Sequence, residues 1–276
     1  YLMIIHLIIR PMNENQQNAS GFNKMVEIVR ILRGSSGCPW DQKQTSASLR
    51  SGFIQECYEV LDAIDGVEHS DLAEELGDVL LHIIFQALIA EDSGHFTIDD
   101  ILNRAHQKLL SRHPHVFGNA KAGNVWEVEK QWEKIKLKER EGTGKSILDG
   151  IPKTMPALSR SQGIQLRASR TGFDWDDVGG VLDKINEEIQ ELKDANGRDE
   201  KEEELGDIFF TLVRLAGWIG VDAESATRLA NEKFYTRFKY MEDFCKENNI
   251  SFTDLPMSQK EMLWEEAKNK LIDSST

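Results

Sequence analysis

The sequence is poor in cysteine. Its 276 residues contain only Cys38, Cys57 and Cys245, and no two of them form a Cys-x-x-Cys pair. An odd number of widely spaced cysteines argues against both a disulfide framework and a zinc knuckle. A reducing, cytoplasmic setting is therefore expected.

The sequence also lacks an excess of positive charge, since its formal net charge is −14. Phosphate backbones bind basic surfaces, so this charge argues against nucleic acid or an acidic membrane as a partner. A small phosphorylated ligand is not excluded, because a metal ion can bridge its phosphates to carboxylates.

Long hydrophobic runs are absent as well. The apolar start of the chain, residues 1–11, is shorter than the roughly 18 to 20 residues that a membrane-spanning helix needs. No basic segment precedes it, and no small-residue cleavage site follows it. We interpret residues 1–20 as a flexible N-terminal extension and predict neither export nor a membrane partner.

The chain contains a long internal repeat. Five blocks recur in the same order, with offsets from 125 (Lys108 to Lys233) to 135 (Trp40 to Trp175). The paired blocks are Gly37–Asp41 with Gly172–Asp176, Gln55–Ile64 with Glu187–Ala195, Glu74–Asp78 with Glu203–Asp207, Lys108–Phe117 with Lys233–Met241, and Trp132–Lys136 with Trp264–Lys268. This order predicts a tandem duplication with a first domain at 21–137, a linker at 138–157 and a second domain at 158–276. Periods of about 20 to 50 residues, typical of solenoids, are not seen.

Apolar residues at helical spacing run through both units, and no convincing alternating strand pattern is found. One stripe comprises Val181, Leu182, Ile185, Ile189 and Leu192, and the other comprises Phe53, Cys57, Val60, Leu61 and Ile64. The helices that begin with Glu-Glu-Leu-Gly-Asp are apolar nearly all round, which is typical of a helix buried in a bundle. The predicted fold class is all-α, with two duplicated helical bundles of four or five helices each.

Paired carboxylates lie at the border of these stripes. Residues three apart share a helical face, so two neighbouring helices could bring four carboxylates together. The candidates are Glu188, Glu191, Glu204 and Asp207 in the second unit, and Glu56, Glu59, Glu75 and Asp78 in the first. Four close negative charges need protons or cations, and oxygen ligands favour Mg²⁺, with Mn²⁺ as an alternative. A ferritin-like metal centre would use Glu-x-x-His, which does not occur in this sequence.

Basic and aromatic residues repeat downstream of the carboxylates. The sets are Lys233, Arg237, Trp264 and Lys268 in the second unit, and Lys108, Arg112, Trp132 and Lys136 in the first. Fixed cations beside metal-bound carboxylates make a polyphosphate site, although surface salt bridges would explain either pair alone. Trp40 and Trp175 could each stack on a nucleobase or cap a core.

Together these blocks make the chain resemble the two-domain form of the MazG family of nucleoside triphosphate pyrophosphohydrolases, from about Gly37 to Lys268. The resemblance implies an all-α fold that forms a homodimer or higher oligomer through its helices. It also implies Mg²⁺-dependent hydrolysis of nucleoside triphosphates between the α and β phosphates, with a broad range of bases. Carried over by motif, the second unit's four carboxylates would bind Mg²⁺, and Lys233, Arg237, Trp264 and Lys268 would hold the nucleotide.

The resemblance further implies catalytic roles for Glu188, Glu191, Lys233 and Arg237, with metal-assisted attack of water. The first unit departs from the family's Glu-Glu-x-x-Glu motif at Gln55, which a helical projection places away from the cluster. We therefore expect the first unit to retain metal binding and the second unit to lead in catalysis. Two alternatives remain, a pyrophosphatase specific for pyrimidine deoxynucleotides and a metal-stabilised helical interaction module with a retired site.

Overall fold

The structure is a computed structural model that describes residues 21–66, 69–140, 144 and 146–273. Helices make up the regular structure of these residues, and no strand occurs among them. The all-α fold predicted from the sequence is confirmed. The predicted N-terminal extension, residues 1–20, lies outside the described residues, as does part of the predicted linker.

Contacts divide the chain into two compact units that separate after Trp132. The first unit contains α1 (Gly21–Arg33), α2 (Pro39–Gln42), α3 (Arg50–Asp65), α4 (His69–Asp92), α5 (Ile98–Arg112), α6 (Pro114–Phe117) and the first half of α7 (Val125–Arg140). The second contains α8 (Ala157–Ser169), α9 (Val178–Asp194), α10 (Arg198–Trp218), α11 (Ala223–Glu247), a 3₁₀ turn (Phe252–Asp254) and α12 (Met257–Asp273).

The two units share one arrangement of helices. In the first unit α3 and α4 form a helical hairpin, and α1 and α5 also pack against α4. In the second unit α9 and α10 form the corresponding hairpin, with α8 and α11 packed against α10. The duplicated sequence blocks therefore occupy corresponding helices in the two units.

A small apolar core holds the first unit together. Val29 of α1 and Ile84 of α4 are fully buried, and Phe85 and Leu88 pack beside them. These α4 residues follow helical spacing after the Glu-Glu-Leu-Gly-Asp sequence, so the same helix carries carboxylates at its start and core residues at its end. The carboxylates are thereby fixed to a rigid element.

Local signals explain where the helices of the site begin. Asp177 caps α9 by accepting a hydrogen bond from the backbone N–H of Gly180 at 3.0 Å. Gly197, immediately before α10, has a φ of 123°, a conformation that favours glycine. A glycine at this position lets the chain reverse direction between α9 and α10, which brings their carboxylates face to face.

The helix α10 departs from the expectation of burial on all sides. Thr211 and Val213 are buried, but Phe209 is 52% exposed, and Phe210 and Leu212 are exposed as well. Helices α8, α9 and α11 cover α10 within the second unit. Phe209 and Leu212 share a helical face, so apolar side chains on this face remain exposed in the single chain. Among the described residues, no helix is long and apolar enough to cross a membrane.

Candidate metal and nucleotide site

Three carboxylates of the second unit converge between α9 and α10. Glu188, Glu191 and Glu204 each offer one oxygen, and these oxygens all lie within 4.8 Å of one another. Glu188 is only 4% exposed, because the apolar stripe that contains Val181 turns this side of α9 towards the core. The fourth candidate, Asp207, lies outside this close group.

The crowding changes the acidity of the cluster. Burial raises the pKa of Glu204, and the negative charges of Glu191, Glu188 and Asp207 raise it further. Burial likewise raises the pKa of Glu191, with a hydrogen bond to Glu188 as the next cause. Carboxylates whose ionised form is disfavoured in this way bind a proton or a cation more readily than isolated ones.

Lys184 is a member of the site that the sequence reasoning missed. Its Nζ lies 2.9 Å from Glu188 Oε1 and 2.7 Å from Glu187 Oε1. Hydrogen bonds to Glu187 and Glu188 raise the pKa of Lys184, and its charge opposes the rise in the pKa of Glu191. The signal was present in the sequence, since Lys184 precedes Glu188 by four residues and so shares its helical face.

The first unit gathers a related but different set of carboxylates. Oxygens of Glu56, Glu75 and Asp78 lie within 4.8 Å of one another, and Glu59 lies outside this close group. Burial raises the pKa of Glu56 to about 7, with a hydrogen bond to Glu59 and the charges of Glu59, Asp78 and Glu75 adding to the effect. The pKa of Glu75 is raised by burial and then by the charge of Glu59.

Gln55 is exposed and contacts Glu59, the candidate carboxylate that lies outside the close group of Glu56, Glu75 and Asp78. Its Nε2 donates a hydrogen bond to Glu59 Oε1 at 3.0 Å. Gln55 and Glu59 are four residues apart, so the long amide side chain can reach along the helix to its neighbour.

His82 is a second residue that the sequence reasoning missed. It lies on α4, four residues after Asp78, and its Nε2 is 4.0 Å from Glu56 Oε1. Burial lowers the pKa of this imidazole, and the charge of Asp78 opposes the effect. The four-residue spacing from Asp78 was a readable signal.

The donor atoms of both clusters fit a hard divalent cation. Carboxylate oxygens are the ligands that Mg²⁺ and Mn²⁺ prefer. Burial first, and then the charges of the neighbouring carboxylates, raise the pKa of Glu56 and of Glu204. Within the described part of the chain, no lysine or arginine pairs with the first unit's four candidates, whereas Lys184 compensates part of the charge in the second.

The second unit's downstream candidates form an aromatic and cationic cluster. The guanidinium Cζ of Arg237 lies 5.7 Å from the ring centroid of Trp264, and the Phe234 ring centroid is 5.1 Å from it. Lys268 pairs with Glu265 at 2.6 Å, and Lys233 is exposed. Across the described residues, none of these cations forms an ion pair with the carboxylate cluster.

The corresponding set in the first unit is arranged differently. Trp132 meets the edge of His113, with ring centroids 5.2 Å apart. Lys108 is exposed and Arg112 is half-buried. The side chain of Lys136 lies outside the described residues. Trp132 therefore contacts a histidine, whereas its counterpart in the second unit contacts Phe234 and Arg237.

A cavity of about 480 Å³ lies beside Trp175 in the second unit. Its lining is mainly apolar and includes Phe173, Phe210, and Ile164 and Ala168 of α8. Its polar groups include Asp174 and Arg214, which form an ion pair, and Gln165. Trp175 is 39% exposed, so it does not close a core. Trp40, its counterpart in the first unit, is 63% exposed and does not cap a core either.

The chain is similar to known proteins over most of its length. The model of the MazG nucleotide pyrophosphohydrolase domain matches residues 44–117. Nucleoside triphosphate pyrophosphohydrolase/pyrophosphatase MazG of Thermotoga maritima is 44% identical over 247 residues, which cover 90% of this chain and 95% of the relative.

Two further relatives extend this comparison. Nucleoside triphosphate pyrophosphohydrolase of Escherichia coli is 40% identical over 258 residues, covering 91% of this chain and 98% of the relative. The uncharacterized protein YabN of Bacillus subtilis is 41% identical over 264 residues, or 94% of this chain and 54% of YabN. The relatives from Thermotoga maritima and Escherichia coli align with this chain along nearly their whole length. The chain therefore belongs to the MazG family.

Proposed function

We propose that this chain is a Mg²⁺-dependent nucleoside triphosphate pyrophosphohydrolase that cleaves between the α and β phosphates to give a monophosphate and pyrophosphate. The observation that carries the proposal is the convergence of Glu188, Glu191 and Glu204 at the border of a helical core. Relatives that match most of the chain carry the name of this activity. The second unit's cluster is proposed as the main catalytic centre.

The carboxylates have distinct proposed roles in this centre. Bound Mg²⁺ would neutralise phosphate charge and lower the pKa of an attacking water. Glu188 Oε1 already accepts a hydrogen bond from Lys184, which holds this carboxylate in place. Glu191 is exposed and its pKa is raised, so it is the better proton acceptor for water attacking the α-phosphate. Glu204 and Asp207 complete the ligand set.

The cations and Trp264 would bind the triphosphate. Lys233 is exposed and Arg237 lies over the Trp264 ring, so both present positive charge to a ligand. Together with Lys268, they would stabilise the negative charge that develops on the departing pyrophosphate.

We further propose broad base specificity, with the base in the cavity beside Trp175. An apolar, aromatic lining stacks on any base, because every base has a π-face. Discrimination between bases needs several fixed hydrogen-bonding groups, and this lining offers few. A tenfold or greater preference for one pyrimidine deoxynucleotide would favour the base-specific alternative.

The open apolar face of α10 supports a proposed homodimer. Phe209 and Leu212, which share a helical face, are exposed in the single chain. Clustered apolar residues of this kind commonly mark a protein interface, and a symmetric dimer would use the same face of both copies. Sedimentation measurements would report a monomer if this part of the proposal is wrong.

Product analysis tests the proposed activity directly. The purified chain is incubated with ATP, dTTP and ITP in Mg²⁺ or in EDTA, and the products are separated by anion exchange. We expect monophosphate and pyrophosphate in Mg²⁺ and none in EDTA. Glu191→Ala should abolish most turnover, whereas the exposed neighbour of the motif, Glu203→Ala, serves as the matched control. Orthophosphate as the product would contradict the cleavage position, and no turnover would favour the interaction module.

A further inference from the structure

An ion pair fixes Asp174, the residue that precedes Trp175 in the chain. Arg214 of α10 donates hydrogen bonds from Nε to Asp174 Oδ1, at 2.9 Å, and from Nη2 to Asp174 Oδ2. The side chains of Arg214 and Asp174 are only 12% and 20% exposed, so water competes little for this pair. A carboxylate that is bound by two nitrogens of one guanidinium is fixed in orientation as well as in position.

The helix α10 accommodates this arginine closely. The guanidinium Cζ lies 5.6 Å from the ring centroid of Trp218, and Trp218 Nε1 donates a hydrogen bond to Asp174 Oδ1 at 3.3 Å. A Cβ atom at position 217 would lie 3.2 Å from Arg214 Nη1, so Gly217 leaves room for the guanidinium. Side-chain N–H groups of two α10 residues thus converge on one carboxylate of the loop between α8 and α9.

The same carboxylate is bound to Trp175. The backbone N–H of Trp175 donates a hydrogen bond to Asp174 Oδ1 at 2.9 Å. The Trp175 ring packs against α9, because a Cβ atom at position 180 would lie only 2.7 Å from Trp175 Cδ1. Trp175 and Arg214 both line the cavity of about 480 Å³. The part of the cavity wall that Trp175 forms is therefore held by α9 at the ring and by α10 through Asp174.

The first unit has apolar residues at the positions of this ion pair. By the offset of the paired tryptophans, 135, Pro39 corresponds to Asp174. By the offset of the Glu-Glu-Leu-Gly-Asp sequences, 129, Phe85 corresponds to Arg214. Phe85 is buried in the apolar core of the first unit, and Trp40 is more exposed than its counterpart in the second. The ion pair is therefore a feature of the second unit.

We propose that Arg214 is a positioning residue for the nucleobase, because by holding Asp174 it keeps the Trp175 ring in the orientation that stacks on the base. A ring that is already fixed loses less conformational entropy when the base binds. Every base has a π-face, so this arrangement strengthens binding without selecting among bases. The inference rests on the proposed function, in which the base occupies the cavity beside Trp175, and it assigns nucleobase stacking to the second unit.

Comparing ATP with a ligand that has no base tests this inference. Ribose triphosphate carries the sugar and the triphosphate of ATP, and its inhibition constant reports binding without the base. We expect Arg214→Gln to raise KM for ATP at least about fivefold, to change kcat less than about twofold, and to leave the inhibition constant of ribose triphosphate unchanged. Arg198→Gln makes the same substitution at an exposed position of the same helix and should change none of these values. Equal weakening of both ligands by Arg214→Gln would overturn the inference.

Fluorine NMR reports the orientation of the ring itself. Fluorotryptophan replaces the six tryptophans of the full chain, and the Trp175 signal is identified by its absence in Trp175→Phe. We expect a narrow Trp175 signal that shifts when α,β-methylene ATP is added, and a broadened or split signal in Arg214→Gln before any ligand is added. A Trp175 signal that is the same in both proteins, or that does not respond to the analogue, would overturn the inference. A chain that gives this signal pattern but does not hydrolyse ATP would overturn the proposed function alone.

A double variant guards against a folding defect in Arg214→Gln. Asp174→Ala combined with Arg214→Gln removes both charges and leaves no unpaired carboxylate in the site. We expect this variant to keep its helical circular dichroism and to show the same increase in KM for ATP as Arg214→Gln, because the arginine acts through Asp174. An increase that is the product of two independent single effects would show that Arg214 does not act through Asp174, which would also overturn the inference.

Discussion

Replacing Glu56 with glutamine should stabilise the metal-free protein at pH 8. Burial raises the pKa of Glu56 from 4.5 to about 7, so ionising this carboxylate costs free energy in the folded chain. A pKa difference of about 2.5 corresponds to about 3.4 kcal/mol. Because the side chain is 22% exposed, solvent screening reduces the expected gain to about 1–2 kcal/mol. Glutamine keeps the hydrogen-bonding capacity and removes the charge.

The effect has a defined dependence on pH. A group whose pKa is higher in the folded state binds a proton more tightly there, so its contribution favours folding at low pH. That contribution is lost as the pH rises from about 4.5 to about 7. Glu56→Gln should therefore show its full stabilisation at pH 8 and less than half of it at pH 5.5.

Calorimetry in EDTA measures this prediction. A gain of 1–2 kcal/mol should raise the unfolding temperature of the first unit by about 3–10 °C. Glu74→Gln, which removes an equal charge from an exposed position on the same helix, is the matched control and should change stability by less than about 0.5 kcal/mol. In saturating Mn²⁺ the unaltered protein should be more stable than Glu56→Gln, because this variant has lost a metal ligand. No stabilisation at pH 8, or equal stabilisation at both pH values, would refute the argument.

Three further predictions concern the second unit. Glu191→Ala should lower kcat/KM at least about 100-fold and Glu59→Ala less than about tenfold; equal losses in steady-state assays would contradict the leading role of the second unit. Trp264→Ala should raise KM for every nucleotide about tenfold and leave calorimetric Mg²⁺ affinity unchanged; weakened Mg²⁺ binding would contradict its assignment to the nucleotide. Lys184→Met should raise the pH at which Mg²⁺ binding is half-maximal. The Lys184 charge opposes the rise in the pKa of Glu191, so without this charge the carboxylate loses its proton at a higher pH. An unchanged dependence of Mg²⁺ binding on pH would show that the ammonium does not act on the cluster.

The sequence predicted the helical hairpins because their signals are local. Apolar periodicity gives the helical faces, and the repeated motifs identify the paired helices of the two units. Carboxylates three apart on neighbouring helices were therefore expected to lie close together. The structure brings Glu188, Glu191 and Glu204 together in one unit and Glu56 and Glu75 in the other.

Contacts across helices were harder to predict. His82 approaches Glu56 only because Gly52 leaves space on the facing helix, and no single-helix pattern reports such a gap. The open face of α10 shows a related limit. Apolar periodicity indicates that Phe209 and Leu212 avoid water, but it does not distinguish burial within one chain from burial against a second copy.

The central claim is attack of water on the α-phosphate, and hydrolysis in ¹⁸O-labelled water tests it most directly. ATP is converted by the full chain in Mg²⁺, and mass spectrometry locates the label in the separated products. The proposed reaction predicts one ¹⁸O atom in AMP and none in pyrophosphate. Label in pyrophosphate, or ADP and orthophosphate as the products, would contradict the account.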